Sequence, residues 1–387
     1  MTKKNILFIT TRNPFSKNFS GDRLRAIKII NFLKKKENIH IFCIDSSKSN
    51  RSTSNKYSLI KFIPDNFFIR FINTIFSILR VKPLQTGFFN SQSLKEAVKK
   101  NCYKFDVIIC HLIRSAEYIP KNFKGKKILE MTDTYSTNYK QTVTNMSIFN
   151  PLLILYIIEM FLVKSYERFC LNFFDKIVLI SKQEILKSLN ISNNKKIIEI
   201  KNGVDQNNKV YIFKKKNNKI IFVGNINYLP NKYACYDFAK NIMPKINKID
   251  PSIKFHIIGE ISLIDKFLLN RFKNIKTLGK VDNLKKIVKG SICGLANLDI
   301  ATGMQNKILT YISFGLPVIC SLKATKGFGD NKKSNGLLIY NNNKKLIDLI
   351  IKLKNKKKFS NNTSKKVHNY SKKYNWEKTI KNYSKII

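Results

Sequence analysis

The stretch Thr302-Gly303-Met304-Gln305-Asn306-Lys307-Ile308-Leu309, continued by Gly315-Leu316-Pro317-Val318-Ile319-Cys320, decides the reading of this chain. A small-residue loop from Asp299 to Gly303 opens a helix with a polar first turn. A Gly-x-Pro stop ends the helix, and a short apolar strand follows. The first turn of a helix exposes unpaired N–H groups and the positive end of its dipole, which suits a phosphate. Lys307 adds a full charge at the same place, so the segment reads as an anion cradle for a nucleotide diphosphate. The competing reading is a surface helix with an ordinary Gly-Pro end.

Outward from this segment, short apolar runs alternate with helix-period segments, the signature of βαβ units and parallel sheets. Strands are expected at Asn5–Thr10, His40–Asp45, Asp106–His111, Lys127–Thr132, Lys176–Ser181 and Ile197–Lys201. The pattern starts afresh at Lys219–Gly224 and continues through Ile253–Gly259, Ile275–Gly279, Ile292–Ala296 and Pro317–Ser321. Asp22–Lys36 reads as an amphipathic helix, with Leu24, Ile27, Ile30 and Leu33 at helical spacing. A chain of 387 residues is too long for one ordinary core. The expected domains are 1–204 and 205–360, joined by the polar stretch Asp205–Asn218, with 361–387 as terminal helices packing back across both. Neither half holds Gly-x-Gly-x-x-Gly or a Walker loop, which weighs against a dinucleotide dehydrogenase or P-loop ATPase.

The net charge is +48, nearly all from lysine spread end to end. An anionic partner or compositional drift toward Lys, Asn and Ile would each produce it. Arginine, which dominates specific base readout, is scarce, so no specific nucleic-acid partner is expected. An anionic membrane surface remains a candidate partner. Seven cysteines stand far apart without Cys-x-x-Cys, which fits reduced cytoplasmic thiols. Four unclustered histidines argue against a His-built metal centre, and no metal or cofactor is expected. The apolar run from Pro151 to Val163 is interrupted by Glu159 and falls short of the ~20 residues that span a bilayer. It reads as a core or interfacial helix, with a cytoplasmic location peripheral to the membrane's inner face.

Open α/β sheets bind ligands at the carboxyl ends of their strands. There the first half places Gly21, Asp22 and Arg25, then His111 and Arg114, then Asp133 and Tyr139. Asp133 can bind sugar hydroxyls or take an acceptor proton, or it can simply cap the next helix. The second half places Phe222-Val223-Gly224-Asn225-Ile226-Asn227, followed by Lys232.

The helix reading Gln-Asn-Lys-hydrophobic-Leu resembles the donor-binding stretch of one branch of the group-1 (family 4) glycosyltransferases. Lys82-Pro83-Leu84-Gln85, Asn202-Gly203-Val204-Asp205, Gly224–Asn231 and the Trp376 tail resemble the same family in order and spacing. The resemblance implies a GT-B architecture: two Rossmann-like, doubly wound α/β domains with parallel sheets facing a central cleft, hinged near Asn202-Gly203. It implies a retaining, metal-independent sugar transferase using a nucleotide-sugar donor and a glycan or lipid-linked saccharide acceptor, in surface polysaccharide synthesis. Donor contacts would come from Gly21, Gly224, Asn225, Asn227, Lys232, Thr302, Gly303, Met304, Gln305, Asn306 and Thr310. Catalytic roles fall to His111, Asp133 and Lys307, and acceptor-side roles to Arg25, Arg114 and Tyr139. Two departures stand out. Many members carry an arginine just after the glycine where Asn225 stands. The family's two glutamates, eight positions apart, are replaced by Thr302 and Thr310. A catalytically silent GT-B-like binding protein is therefore the second reading, and a nucleic-acid binder a weaker third.

Overall fold

The computed structural model describes residues 2–16, 21–45, 60–63, 66–329 and 334–387. The chain divides into two compact units, Met1–Lys201 with Lys378–Ile387, and Asn202–Glu377.

The first unit is built on seven parallel strands: β1 (Asn5–Thr10), β2 (Asn38–Ile44), β3 (Ile60–Ile63), β4 (Val107–His111), β5 (Lys126–Thr132), β6 (Lys176–Leu179) and β7 (Ile197–Glu199). Their order is β3-β2-β1-β4-β5-β6-β7. Strands flanked by helices on both faces must be apolar throughout, and β1 and β4 are buried almost end to end. Leu7, Ile9, Ile108, Cys110, Leu129 and Ile177 anchor the core. Of the expected helix at Asp22–Lys36, the structure forms Gly21–Lys34, burying Ala26, Ile29, Ile30 and Leu33.

The second unit holds six parallel strands: β8 (Lys219–Val223), β9 (Lys254–Ile258), β10 (Ile275–Gly279), β11 (Ser291–Ala296), β12 (Val318–Ser321) and β13 (Leu338–Tyr340), ordered β10-β9-β8-β11-β12-β13. Both sheets therefore reverse direction of growth once, between β1 and β4 and between β8 and β11. Those are the switch points where doubly wound sheets leave a crevice for ligands. The segment from Asp205 to Asn218 belongs to the second unit. Tyr211 within it is buried, and the N–H groups of Val210 and Tyr211 both donate to the Phe314 carbonyl, at 3.0 Å each.

β3 and β13 escape sequence reading. Each has three or four residues, and neither carries a continuous buried run. As edge strands they have one neighbour to pack against, which weakens the apolar signal.

Candidate functional site

In the second unit the site begins with how β8 and β11 are clamped. Gly294 in β11 leaves room for the Tyr311 ring, since a Cβ there would lie 2.4 Å from it. Tyr311, wholly buried, accepts a hydrogen bond from the Val223 N–H at 2.7 Å, so the helix Asn306–Ser313 is tied to both central strands. Gly259 closes the other side of β8. Its φ of +133° and its approach to the Gly224 carbonyl, where a Cβ would sit 1.9 Å away, admit no side chain. The Ile226 N–H donates to the Glu260 carbonyl at 2.7 Å, fixing the loop that leaves Gly224.

The helix Asn306–Ser313 starts without a side-chain cap. Gln305 holds the cap position, yet its side-chain amide turns back to donate to the Thr302 carbonyl at 2.9 Å. Gly303, at φ +59°, makes the preceding bend. The Ile308 N–H donates to the Gln305 carbonyl at 3.0 Å, while the Asn306 and Lys307 N–H groups have no acceptor among the described residues, so this end retains anion-binding capacity. Asn306 accepts from the Asn202 amide at 2.9 Å, a contact between residues about a hundred positions apart that local spacing does not signal.

Lys307 is not the free first-turn cation that its spacing suggests. Its amine does not stand free at the helix start. It is buried, donates to Asn231 Oδ1 at 2.7 Å and lies 3.8 Å from the centre of the Phe222 ring. Burial pushes its pKa down to about 7. Asn231 in turn donates through Nδ2 to the Asn225 carbonyl at 2.7 Å. Lys307 thus braces the loop after Gly224 from beneath. Lys232 is also engaged, paired with Asp265 at 2.7 Å. Asn225 and Asn227 are exposed on that loop, where the Asn227 N–H donates to Asn225 Oδ1 at 2.9 Å. Thr302 and Met304 are buried beside Gly303. Thr310 donates its hydroxyl to the Asn306 carbonyl at 2.9 Å.

The first unit gathers its candidates at the β1/β4 switch point. His111 ends β4, stacked on Phe8 at 5.7 Å, with Nδ1 3.4 Å from the Thr10 hydroxyl. Burial pushes its pKa down to about 3, opposed by Asp22, so the imidazole is neutral at physiological pH. Its Nε2 is buried without a hydrogen-bond partner among the described residues. Arg114 donates to the Thr11 hydroxyl at 2.8 Å, lies 3.6 Å from Asp22 and covers the Phe89 ring at 4.3 Å.

Arg25 differs from its expected acceptor contact. It is 1% exposed, forked onto Glu130 at 2.9 and 3.3 Å and donating to the Ile200 carbonyl at 2.9 Å. Burial pushes the Glu130 carboxyl up while Arg25 pulls it back. This pair holds the chain ends of β5 and β7 in place. Asp133 stands two residues beyond Met131, with Oδ1 shut away from solvent and without a hydrogen-bond partner among the described residues. Burial, with Glu184 and Glu130 nearby, pushes its pKa up to about 7. Thr132 and Leu112, at φ +74° and +69°, bend the chain out of β5 and β4. Left-handed conformations in such side chains are costly and cluster where a site needs them. Tyr139 sits apart, its ring 5.7 Å from Tyr156 and its hydroxyl on Glu159. Gly21 is exposed at the start of Gly21–Lys34.

A family model described as Glycosyl transferases group 1 matches residues 217–356. The second unit is a group-1 glycosyltransferase domain. Solved structures align over both units. Sucrose-phosphate synthase from Thermosynechococcus elongatus has a TM-score of 0.74 at 10% identity, covering 99% of this chain and 98% of that one. HepE from Anabaena, in complex with UDP and glucose, has a TM-score of 0.69 at 10% identity over 99% and 98%. A variant of S. aureus TarM bound to fondaparinux, α-GlcNAc-glycerol and UDP has a TM-score of 0.67 at 14% identity over 99% and 99%. At these identities the likeness fixes the architecture, two parallel-sheet α/β units of the GT-B class. No curated protein sequence matches the chain. Gly224, Lys307 and Tyr311 all fall inside the glycosyltransferase domain.

Proposed function

We propose that the chain moves a sugar from a nucleotide diphosphate donor to a glycan or lipid-linked saccharide acceptor, in surface polysaccharide synthesis at an anionic membrane surface. Retention of configuration and independence from metal follow from the family resemblance. The observation that carries the donor half is the uncapped start of Asn306–Ser313 beside the Gly224 loop, at the switch point of its sheet. UDP in the complexes of HepE and TarM supports a nucleoside diphosphate as the ligand. The N–H groups of this turn stabilise charge that develops on the leaving diphosphate. Lys307 keeps the Gly224 loop in register as a positioning residue. On the acceptor half, Asp133, whose pKa is about 7, accepts a hydroxyl proton near neutral pH. Neutral His111 hydrogen-bonds a sugar hydroxyl through Nε2, and Arg114 orients the acceptor.

The test uses backbone chemistry. Asn306 is the first helical residue and Gln305 is extended, a setting that accepts proline without breaking the helix. Asn306→Pro removes one N–H; Asn306→Ala keeps it and removes the amide. UDP affinity measured by calorimetry should fall about ten- to a hundredfold in the proline variant relative to alanine. Equal affinities would remove the helix start as the diphosphate site. A wild type blind to every nucleotide would overturn the donor reading. Nucleotide binding without turnover across a donor and acceptor panel would favour the silent reading, which Thr302 and Thr310 motivate.

A further inference from the structure

The helix Phe67–Leu79 is inverted with respect to the usual rule for a water-soluble protein. Its small polar side points into the protein. Ser77 is 4% exposed, and Asn73 donates to the Asn90 carbonyl at 3.0 Å. Its apolar side points out: Phe68, Phe71, Ile75 and Leu79 are 78, 59, 52 and 75% exposed. The seating is tight, because a Cβ on Gly87 would lie 2.5 Å from the Asn73 carbonyl and 2.7 Å from Ser77. A side chain at position 87, or a rotation of the helix, would break this contact. The outward apolar face is therefore fixed by packing.

A second element repeats the arrangement. In the helix Leu153–Phe173, Ile154, Ile158 and Phe161 are exposed at a spacing of four and three. Just before it, Phe149 is 88% exposed. Glu159, on the inward side, is buried and accepts from the Leu84 N–H at 2.8 Å. Both helices thus anchor on Leu84–Phe88 by their polar sides, and among the described residues their apolar sides stay uncovered. Exposed apolar surface on this scale marks an interaction site.

Charge selects the occupant. No acidic residue lies between Asn66 and Lys82, and none between Ser147 and Ile158. Arg80, Lys140 and Arg168 stand exposed at the borders, within a chain of net charge +48. A second copy docked face to face would bring these cations together with no carboxylate to neutralise them. Among the described residues no helix is long and apolar enough to cross a membrane. A helix with exposed aromatics, cationic borders and no spanning length lies in the plane of an interface.

We propose that Phe67–Leu79 and the segment from Phe149 to Phe161 form a docking face that inserts into the surface of an anionic bilayer. The proposal deepens the membrane partner named above but is read without nucleotide, so it stands or falls separately from the donor site. The experiment is flotation of the full chain with vesicles of phosphatidylcholine alone or mixed with phosphatidylglycerol. Wild type should float with the mixed vesicles and far less with phosphatidylcholine. Combined Phe68→Gln, Phe71→Gln and Phe149→Gln should weaken partition at least about tenfold with melting unchanged, since all three side chains are already in water. Three results overturn it: no flotation, equal flotation of the variant, or equal binding to both vesicle types. A lipid-free dimer that the triple variant dissociates would assign the face to a second copy instead.

Discussion

Lys307 shows how one residue type can carry opposite meanings. In sequence it is a cation in a helix's first turn, the reading that favours a phosphate ligand. In the fold its amine lies over Phe222 and against Asn231, with the pKa lowered to about 7 from the ordinary 10.5 by burial. Between those values the unfolded chain binds a proton that the folded chain does not. Stability therefore rises with pH across that window, and the penalty is fully present below about 7. Lys307→Met should remove this slope. The variant should exceed wild type in stability by about 1–3 kcal/mol at pH 6, after allowing for the acceptor lost at Asn231, and fall below it by about 1–3 kcal/mol near pH 10, where the ionisation penalty is gone and the lost hydrogen bond remains. Chemical denaturation across that range checks it. A difference that does not change with pH would show that Asn231 and Phe222 hold the ammonium charged.

At the scale of elements, the buried carboxylates do work that the sequence conceals. Glu159 interrupts an apolar run and looks like a break in a would-be membrane segment. It instead accepts the Leu84 N–H and closes the start of Leu84–Phe88, against which Phe67–Leu79 packs. Glu167 does the same for Tyr135–Asn145, accepting from the Ser136 N–H at 3.1 Å. Removing such an acceptor strands a buried donor. Glu159→Ala is expected to cost about 1–3 kcal/mol, read as a lower urea midpoint, with the larger effect on vesicle binding if Phe67–Leu79 loosens. Glu37→Ala, at a half-buried carboxylate that accepts the Lys4 N–H at the solvent edge, is the control and should change little. The strands show what periodicity can see. β1 falls on Asn5–Thr10 as expected, and β4 and β11 within a residue of their expected ends, because continuous apolar runs are their own signal.

For the whole molecule, charge and fold act independently. Lysines fill the surface of both units while the sheets stay apolar, so +48 governs encounters and leaves the architecture unaffected. Oligonucleotides should bind without sequence preference at low salt and release steeply as salt rises toward physiological strength. Fluorescence anisotropy over a salt series checks this. Sequence-dependent binding that survives physiological salt would restore a nucleic-acid function. The vesicle interaction should be less salt-sensitive, because exposed aromatics contribute alongside the cations.

The one-dimensional pattern determined the class: apolar strands in series, restarted at Lys219, with a polar helix start after Gly303. These are local properties, fixed by the backbone's hydrogen-bond needs and the periodicity of side chains. Only the tertiary structure decided which charges face water. Lys307, Arg25 and Glu159 are buried by neighbours distant in sequence, and Phe68 and Phe71 are exposed because Gly87 and Ser77 claim the other side of their helix. Burial depends on partners brought together by folding, and spacing along the chain does not encode it.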